Sequence, residues 1–102
     1  MSASYNVKLT QIAERDLWSV WDYIAAESED AADAFIKELE ERILRLDQYP
    51  ERCAFIPEKR DLSLDYRHLL HKRYRAIFKI EGSDVIVLRV LHGAKLLRQS
   101  ML

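Results

Sequence analysis

Seven side chains in the second half of this chain carry groups that could act on a phosphodiester: Arg67, His71, Arg75, Lys79, Arg89, His92 and Lys95. Small nucleases can cleave RNA without a metal when Arg or Lys stabilises the charge of the phosphorane and a Tyr, His or Glu moves protons. Tyr66 and Tyr74 stand in the same stretch, although packing with the phenol at the rim explains a strand tyrosine better. A basic sheet face alone specifies no reaction, and solvated strand residues account more simply for the same composition. Other chemistries are poorly provided for. His68 and His71 lie three apart on a candidate strand and so point to opposite faces, which separates them as metal ligands. No Cys and His stand at zinc-finger spacing, and Cys53 has no base near it in sequence. There is no G-x-S-x-G elbow. With Gly82 and Gly93 as its only glycines, the chain has no phosphate-cradling loop. Neither a metal nor a cofactor is expected.

Short elements must position these groups. Tyr5, Val7 and Leu9 alternate with Asn6 and Lys8, the pattern of a half-buried strand. Thr10 offers an N-cap hydroxyl, and Ala13, Leu17, Val20, Trp21 and Ile24 then form one stripe of an amphipathic helix. Trp18 lies at the margin of that stripe, where it could anchor a partner. Ser28 or Asp30 caps a second helix, in which Ala32, Phe35, Ile36, Leu39, Ile43 and Leu46 recur with helical period. Its outer face is expected to pair Glu38 with Arg42 and Glu41 with Arg45. Tyr49-Pro50 stops it. Residues 50–65 have no sustained period and read as a loop tacked to the core by Phe55-Ile56.

The last third reads as three strands, Tyr66 to His71, Tyr74 to Ile80 and Val85 to His92. Glu81-Gly82-Ser83-Asp84 is a hairpin turn in which Gly82 can take positive φ. Alternation places Tyr74, Ala76, Phe78 and Ile80 opposite Arg75, Ile77 and Lys79, and Ile86, Leu88 and Val90 opposite Val87, Arg89 and Leu91. The order β-α-α-β-β-β predicts a two-layer α+β fold, an antiparallel sheet packed against an N-terminal helical hairpin. The other sheet face, with Arg75, Lys79 and Arg89 among apolar residues, must meet water, a terminal segment or a partner.

At 102 residues, 49% apolar and 32% charged, with 2 Gly and 2 Pro, the chain is expected to fold as one globular domain. A single cysteine excludes an internal disulfide and fits a reducing cytosol. No apolar run approaches the roughly 20 residues that span a bilayer. Met1-Ser2-Ala3-Ser4-Tyr5-Asn6 lacks the basic start and apolar stretch of a signal peptide, so a cytoplasmic, membrane-free location is expected. The net charge of −1 conceals a division. Residues 1–50 hold 5 basic and 11 acidic residues, and residues 51–102 hold 11 basic and 6 acidic. Such asymmetry suggests a basic surface for an acidic partner or nucleic acid, although Glu-rich helices beside Arg-rich strands produce it too.

Several pieces of sequence occur together in an identifiable order. Tyr5-x-Val7-x-Leu9-Thr10 leads into Ala13-Glu14-x-Asp16-Leu17-x-x-Val20-Trp21-x-Tyr23-Ile24-Ala25. Tyr66-Arg67 then precedes Tyr74-Arg75-x-x-Phe78, and Val90-Leu91-His92-Gly93 closes the pattern. Over nearly its whole length the chain resembles the RelE/ParE superfamily of toxins from type II toxin–antitoxin modules, and within it the ParE branch. The resemblance implies that residues 1–102 form a single cytoplasmic toxin domain from a plasmid-stabilisation type of module. It also implies a cognate, ParD-like antitoxin whose C-terminal segment folds as it wraps the toxin. The ParE branch implies poisoning of DNA gyrase, without sequence-specific DNA binding by the toxin alone. The RelE branch implies cleavage of mRNA on the ribosome, for which Arg67, Arg75, Arg89 and His92 are the catalytic candidates. RelE-like nucleases carry a late Tyr or His, and the segment after Gly93 has neither. A non-nucleolytic toxin is therefore expected. Trp18, Arg75, Lys79 and Arg89 are the antitoxin-binding candidates, and Lys95, Leu96, Leu97 and Arg98 the target-binding ones.

Overall fold

Both α-helices begin where a side chain satisfies an otherwise unpaired backbone group. The structure, a computed structural model, describes residues 4–58 and 65–102. Met1–Ala3 and residues 59–64 of the expected 50–65 loop lie outside the described residues. Strand β1 is Asn6–Leu9, and helix α1, Gln11–Ala25, starts at Thr10, whose hydroxyl accepts from the Ala13 N–H at 3.1 Å. Helix α2, Glu29–Leu44, starts at Ser28, which caps the Ala31 N–H in the same way. The acids Glu29 and Asp30 then sit at the positive end of its dipole. Strands β2 (Arg67–His71), β3 (Tyr74–Glu81) and β4 (Asp84–His92) follow, with 3-10 turns at Arg45–Asp47, Pro50–Arg52 and Gln99–Met101. Gly82 has φ +60 in the β3–β4 turn. Lys72 has φ 53 in the β2–β3 turn, where no glycine announced it.

The sheet has the order β1-β4-β3-β2 and is mixed, not wholly antiparallel. β2, β3 and β4 form an antiparallel meander, but β1 runs parallel to β4 from Asn6↔Asp84 to Leu9↔Val87. The cause is topological. The helical hairpin and the segment after it carry the chain to the far edge, and the meander returns across the sheet with β4 pointing along β1. A local alternation pattern reports which face a residue takes and nothing about the direction of a partner strand 78 residues away.

Both helices pack their stripes on one sheet face. Ala13, Leu17, Leu39, Ile43 and Leu46 meet Leu69, Ala76, Phe78, Val85, Val87 and Val90 in the main core. Trp21 and Ile24, expected in that stripe, are only half-buried. A second, smaller core of Ile56, Tyr66, Ile77, Leu91 and Leu97 closes the opposite face, with Met101 packed against it. A terminal segment thus covers the face that the helices leave open.

The expected alternation along β4 fails at one point. Ile77 pairs with Arg89 but Phe78 pairs with Val87, so Leu88 is an extra residue, a β-bulge. Beyond it the faces exchange. Val87 and Val90 share the main core, whereas Leu91 joins the smaller one. The expected Glu38–Arg42 and Glu41–Arg45 ion pairs are also absent among the described residues. Arg42 instead donates to the Leu70 carbonyl at 2.7 Å and approaches His71 Nδ1 at 3.1 Å, while Glu38 faces His71 and Lys72. A backbone carbonyl and a buried imidazole offer these side chains better partners than an exposed neighbour one turn away.

Candidate functional site

The arginines expected to face a ligand are largely engaged within the fold. Arg75 sits on the outer sheet face with its side chain 3% exposed. Its guanidinium forms a bidentate pair with Glu58, donates to the Lys95 carbonyl at 2.8 Å and lies 3.2 Å from His68 Nδ1. Glu58 accepts in addition from the Leu97 N–H at 2.7 Å. Burial pushes the Glu58 carboxyl up, but the Arg75 and Leu97 hydrogen bonds and the Arg75 charge outweigh it and hold the group below the usual range. Arg89 forms a second fork with Asp16 of α1, at 2.7 and 2.8 Å, and donates to the Met101 carbonyl at 2.8 Å. The Asp16 hydrogen bonds raise its affinity for the proton further. Arg67 donates to the carbonyls of Glu51 and Cys53 at 2.9 and 2.7 Å and stacks on Phe55. Lys79 is half-exposed beside Glu81 at 3.2 Å.

His92 is exposed, its ring 5.5 Å from that of Tyr74 and its Nδ1 3.2 Å from the Ala94 N–H. Burial, then the neighbouring Tyr23, push the Tyr74 phenol up. The four nuclease candidates therefore do not converge. Arg67 begins β2 opposite Phe78, His92 ends β4 opposite Tyr74, Arg75 lies under the C-terminal segment, and Arg89 reaches to α1. His68 and His71 do lie on opposite faces, one against Arg75 and the other against Arg42 and Phe35. Among the described residues, no group of three His, Cys, Asp or Glu side chains is placed to hold a metal. No helix there is long and apolar enough to cross a membrane.

The target-binding candidates divide. Lys95, Leu96 and Arg98 are exposed, Leu96 at 59%, but Leu97 is 0% exposed and belongs to the smaller core. Its N–H bond to Glu58 turns the segment so that the neighbours of Leu97 face outward.

An open groove lies elsewhere, on the helical hairpin. A groove of about 720 Å³ runs between α1 and α2 over the edge of β1. Leu9, Leu17, Trp18, Trp21 and Ile36 supply its apolar lining, and Glu14, Asp33, Lys37 and Glu40 its polar lining. A second hollow of about 310 Å³ shares Leu9, Lys37 and Glu40 with it and extends to Glu41, Ile43 and Leu44. Trp18 is 69% exposed and meets Trp21 edge to face at 6.4 Å. The Trp21 indole donates to Asp33 at 2.8 Å, which ties the two helices at one end of the groove. Trp18 was visible as a candidate because it falls off the buried stripe. The opposite wall was missed, although Asp33, Lys37, Glu40 and Leu44 recur at i, i+4, i+7 and i+11, a second stripe on α2. Glu58 carried no such signal, since it stands in an aperiodic segment.

Residues 7–97 match a family model described as the ParE toxin of the type II toxin–antitoxin system parDE. No curated protein matches the chain. Among solved structures, a chromosomal ParDE TA system from P. aeruginosa is similar, with TM-score 0.73 and 23% identity over 89% of this chain and 98% of that one. A RelBE toxin–antitoxin complex from Mycobacterium tuberculosis is similar with TM-score 0.66 and 21% identity, over 93% of this chain and 98% of that one. At these identities the two structures report the fold.

Proposed function

The chain belongs to the ParE toxin family of type II toxin–antitoxin systems, and from that premise we propose that it arrests growth by binding a protein target, DNA gyrase, in the cytoplasm. The observation that carries this reading is the internal engagement of Arg67, Arg75 and Arg89. Phosphoryl-transfer chemistry needs cations aimed at the developing charge, and these three direct donors to Asp16, Glu58 and backbone carbonyls. The exposed residues include candidate docking features, Trp18 on the hairpin and Lys95, Leu96 and Arg98 after the sheet. The antitoxin covers the hairpin groove with Trp18 as an anchor, and gyrase meets the C-terminal segment.

A supercoiling assay with purified gyrase tests the target. Inhibition with accumulation of cleaved DNA is expected, and supercoiling unaffected by excess toxin overturns the gyrase reading. One arrangement favours an RNA-directed alternative, the exposed His92 against a half-buried Tyr74. Primer extension on translated mRNA separates the two, because cuts that disappear in His92→Ala would establish the interferase.

A further inference from the structure

Residues 93–98, after β4, form neither helix nor strand, so their main-chain polar groups find partners one by one. Two are met by turns, the Gly93 N–H by the Arg73 carbonyl at 2.6 Å and the Lys95 N–H by the His92 carbonyl at 2.9 Å. Two more are met by buried side chains. Arg75 donates to the Lys95 carbonyl at 2.8 Å, and the Leu97 N–H donates to Glu58 at 2.7 Å. Arg89 then holds the Met101 carbonyl at 2.8 Å. Arg75 and Glu58 are also paired with each other, and Arg75 Nε finds no hydrogen-bond partner among the described residues. Two desolvated charges with an unsatisfied donor are a poor way to stabilise a sheet face, which apolar side chains would cover with less loss of hydration. What the pair does achieve is positional. It grips the chain on both sides of Leu96, and Leu97 plugs the smaller core. Leu96 is left facing outward, with Lys95 and Arg98 exposed to either side of it. Neither cation enters an ion pair among the described residues.

We infer that the Arg75–Glu58 pair is a latch that positions Leu96, between Lys95 and Arg98, as the contact point for the protein on which this toxin acts, and that the surface contacted is an apolar pocket bordered by carboxylates. This takes the toxin reading above as its premise and adds the residues that fix the geometry of the contact. Glu58 and Arg75 are positioning residues, buried and acting only through the segment above them. A loose segment loses conformational entropy when it binds, and one already held at Lys95, Leu97 and Met101 has less to lose. The displayed side chains suit a protein pocket better than a phosphate backbone. Lys95 and Arg98 would serve either, but Leu96 at their centre has nothing to offer a phosphate oxygen. None of these three lines the groove on the helical hairpin, so the contact is separate from the seat assigned to the antitoxin.

The test expresses the full chain and sets growth arrest, which does not depend on the identity of the target, against affinity for the cognate antitoxin. The parent chain is expected to arrest growth. Leu96→Ala and the double variant Lys95→Glu, Arg98→Glu change exposed positions only, and each should need about tenfold more toxin for the same arrest at an unchanged thermal midpoint. Glu58→Gln keeps the shape of the side chain and removes its charge. At a temperature where circular dichroism shows it folded, it should exchange the Leu97 amide faster, lose arrest to the same degree, and bind the antitoxin within about twofold of the parent. A merely structural role for Glu58 would instead lower arrest and antitoxin affinity together, and that result overturns the latch. So does slow exchange at Leu97 in Glu58→Gln, or full arrest despite a released segment. Arrest lost in the double variant but kept in Leu96→Ala would point to a phosphate backbone and overturn the pocket, as would full arrest by the double variant. If the parent chain arrests growth and no variant differs from it, the inference falls and the toxin reading stands. If the parent chain does not arrest growth, the toxin reading falls and takes the inference with it.

Discussion

Glu58 joins three parts of the molecule through one carboxylate. It accepts from Arg75 of β3 and from the Leu97 N–H, and Arg75 in turn holds the Lys95 carbonyl. Two charges at 3% and 4% exposure are expensive to desolvate, so removing one partner strands the other. Glu58→Ala is expected to cost about 3–5 kcal/mol in urea unfolding and to release the C-terminal segment. Hydrogen exchange at Leu97 checks the release. The lowered pKa of Glu58 also gives a pH dependence. Its stabilisation is complete above the ordinary glutamate value, about 4.3, and is lost as pH falls through the lower folded value. His71 acts in a different window. Burial, then Arg42 and Lys72, lower its affinity for the proton, against the opposing pull of Glu38. The folded ring therefore takes up a proton less readily than the ring in the unfolded chain. Stability is therefore full above about 6.5 and declines as pH falls from there. The slope of unfolding free energy between pH 7 and pH 5 should shrink in His71→Gln, and the slope below pH 4.5 should shrink in Glu58→Gln.

At the scale of elements, the join between β4 and α1 governs how the sheet edge is closed. β1 pairs with β4 only as far as Leu9↔Val87. Beyond that point helix α1 replaces the missing strand. The Thr10 hydroxyl donates to the carbonyl of the bulged Leu88 at 2.9 Å, and Asp16 accepts from the Val90 N–H at 2.9 Å as well as from Arg89. An edge that would otherwise expose unpaired backbone is thereby satisfied by side chains. Asp16→Ala is expected to cost about 2 kcal/mol, with hydrogen exchange of the Val90 amide accelerating more than that of β3. This join also marks what could be read from the residues alone. Helix periodicity, the Thr10 cap and the β3 alternation depend on neighbours in sequence, and they were legible. The Leu88 bulge and the parallel β1–β4 pairing depend on partners far away in sequence. The same limit explains the functional residues. Trp18 stood out by its place on a helix, whereas the partnership of Arg75 with Glu58 joins a strand to an aperiodic segment.

At the scale of the whole molecule, the division of charge acquires a different meaning once the partners are known. Among the described residues the buried cations of the basic half are compensated, Arg75 by Glu58 and Arg89 by Asp16, and Lys79 lies beside Glu81. The acidic hairpin keeps free carboxylates around an apolar groove. Within the antitoxin reading, apolar contact at that groove should dominate affinity. Trp18 separates binding from folding. Its side chain is 69% exposed, so truncation removes little buried area from the folded chain. A bound segment that covers it would bury a large aromatic surface in the centre of an interface, where such anchors contribute about 2 kcal/mol or more. Trp18→Ala is expected to leave the thermal midpoint within about a degree or two and to weaken the complex with the cognate antitoxin about 30-fold by calorimetry. Leu97→Ala should do the opposite, because Leu97 is wholly buried in the smaller core. That change should lower stability by about 2–5 kcal/mol while leaving the hairpin groove, and its affinity for the antitoxin, intact at temperatures where the variant is folded. If Trp18→Ala bound the antitoxin as tightly as the parent chain, the groove would not be the antitoxin's seat, and the docking surface would have to be sought at Lys95, Leu96 and Arg98.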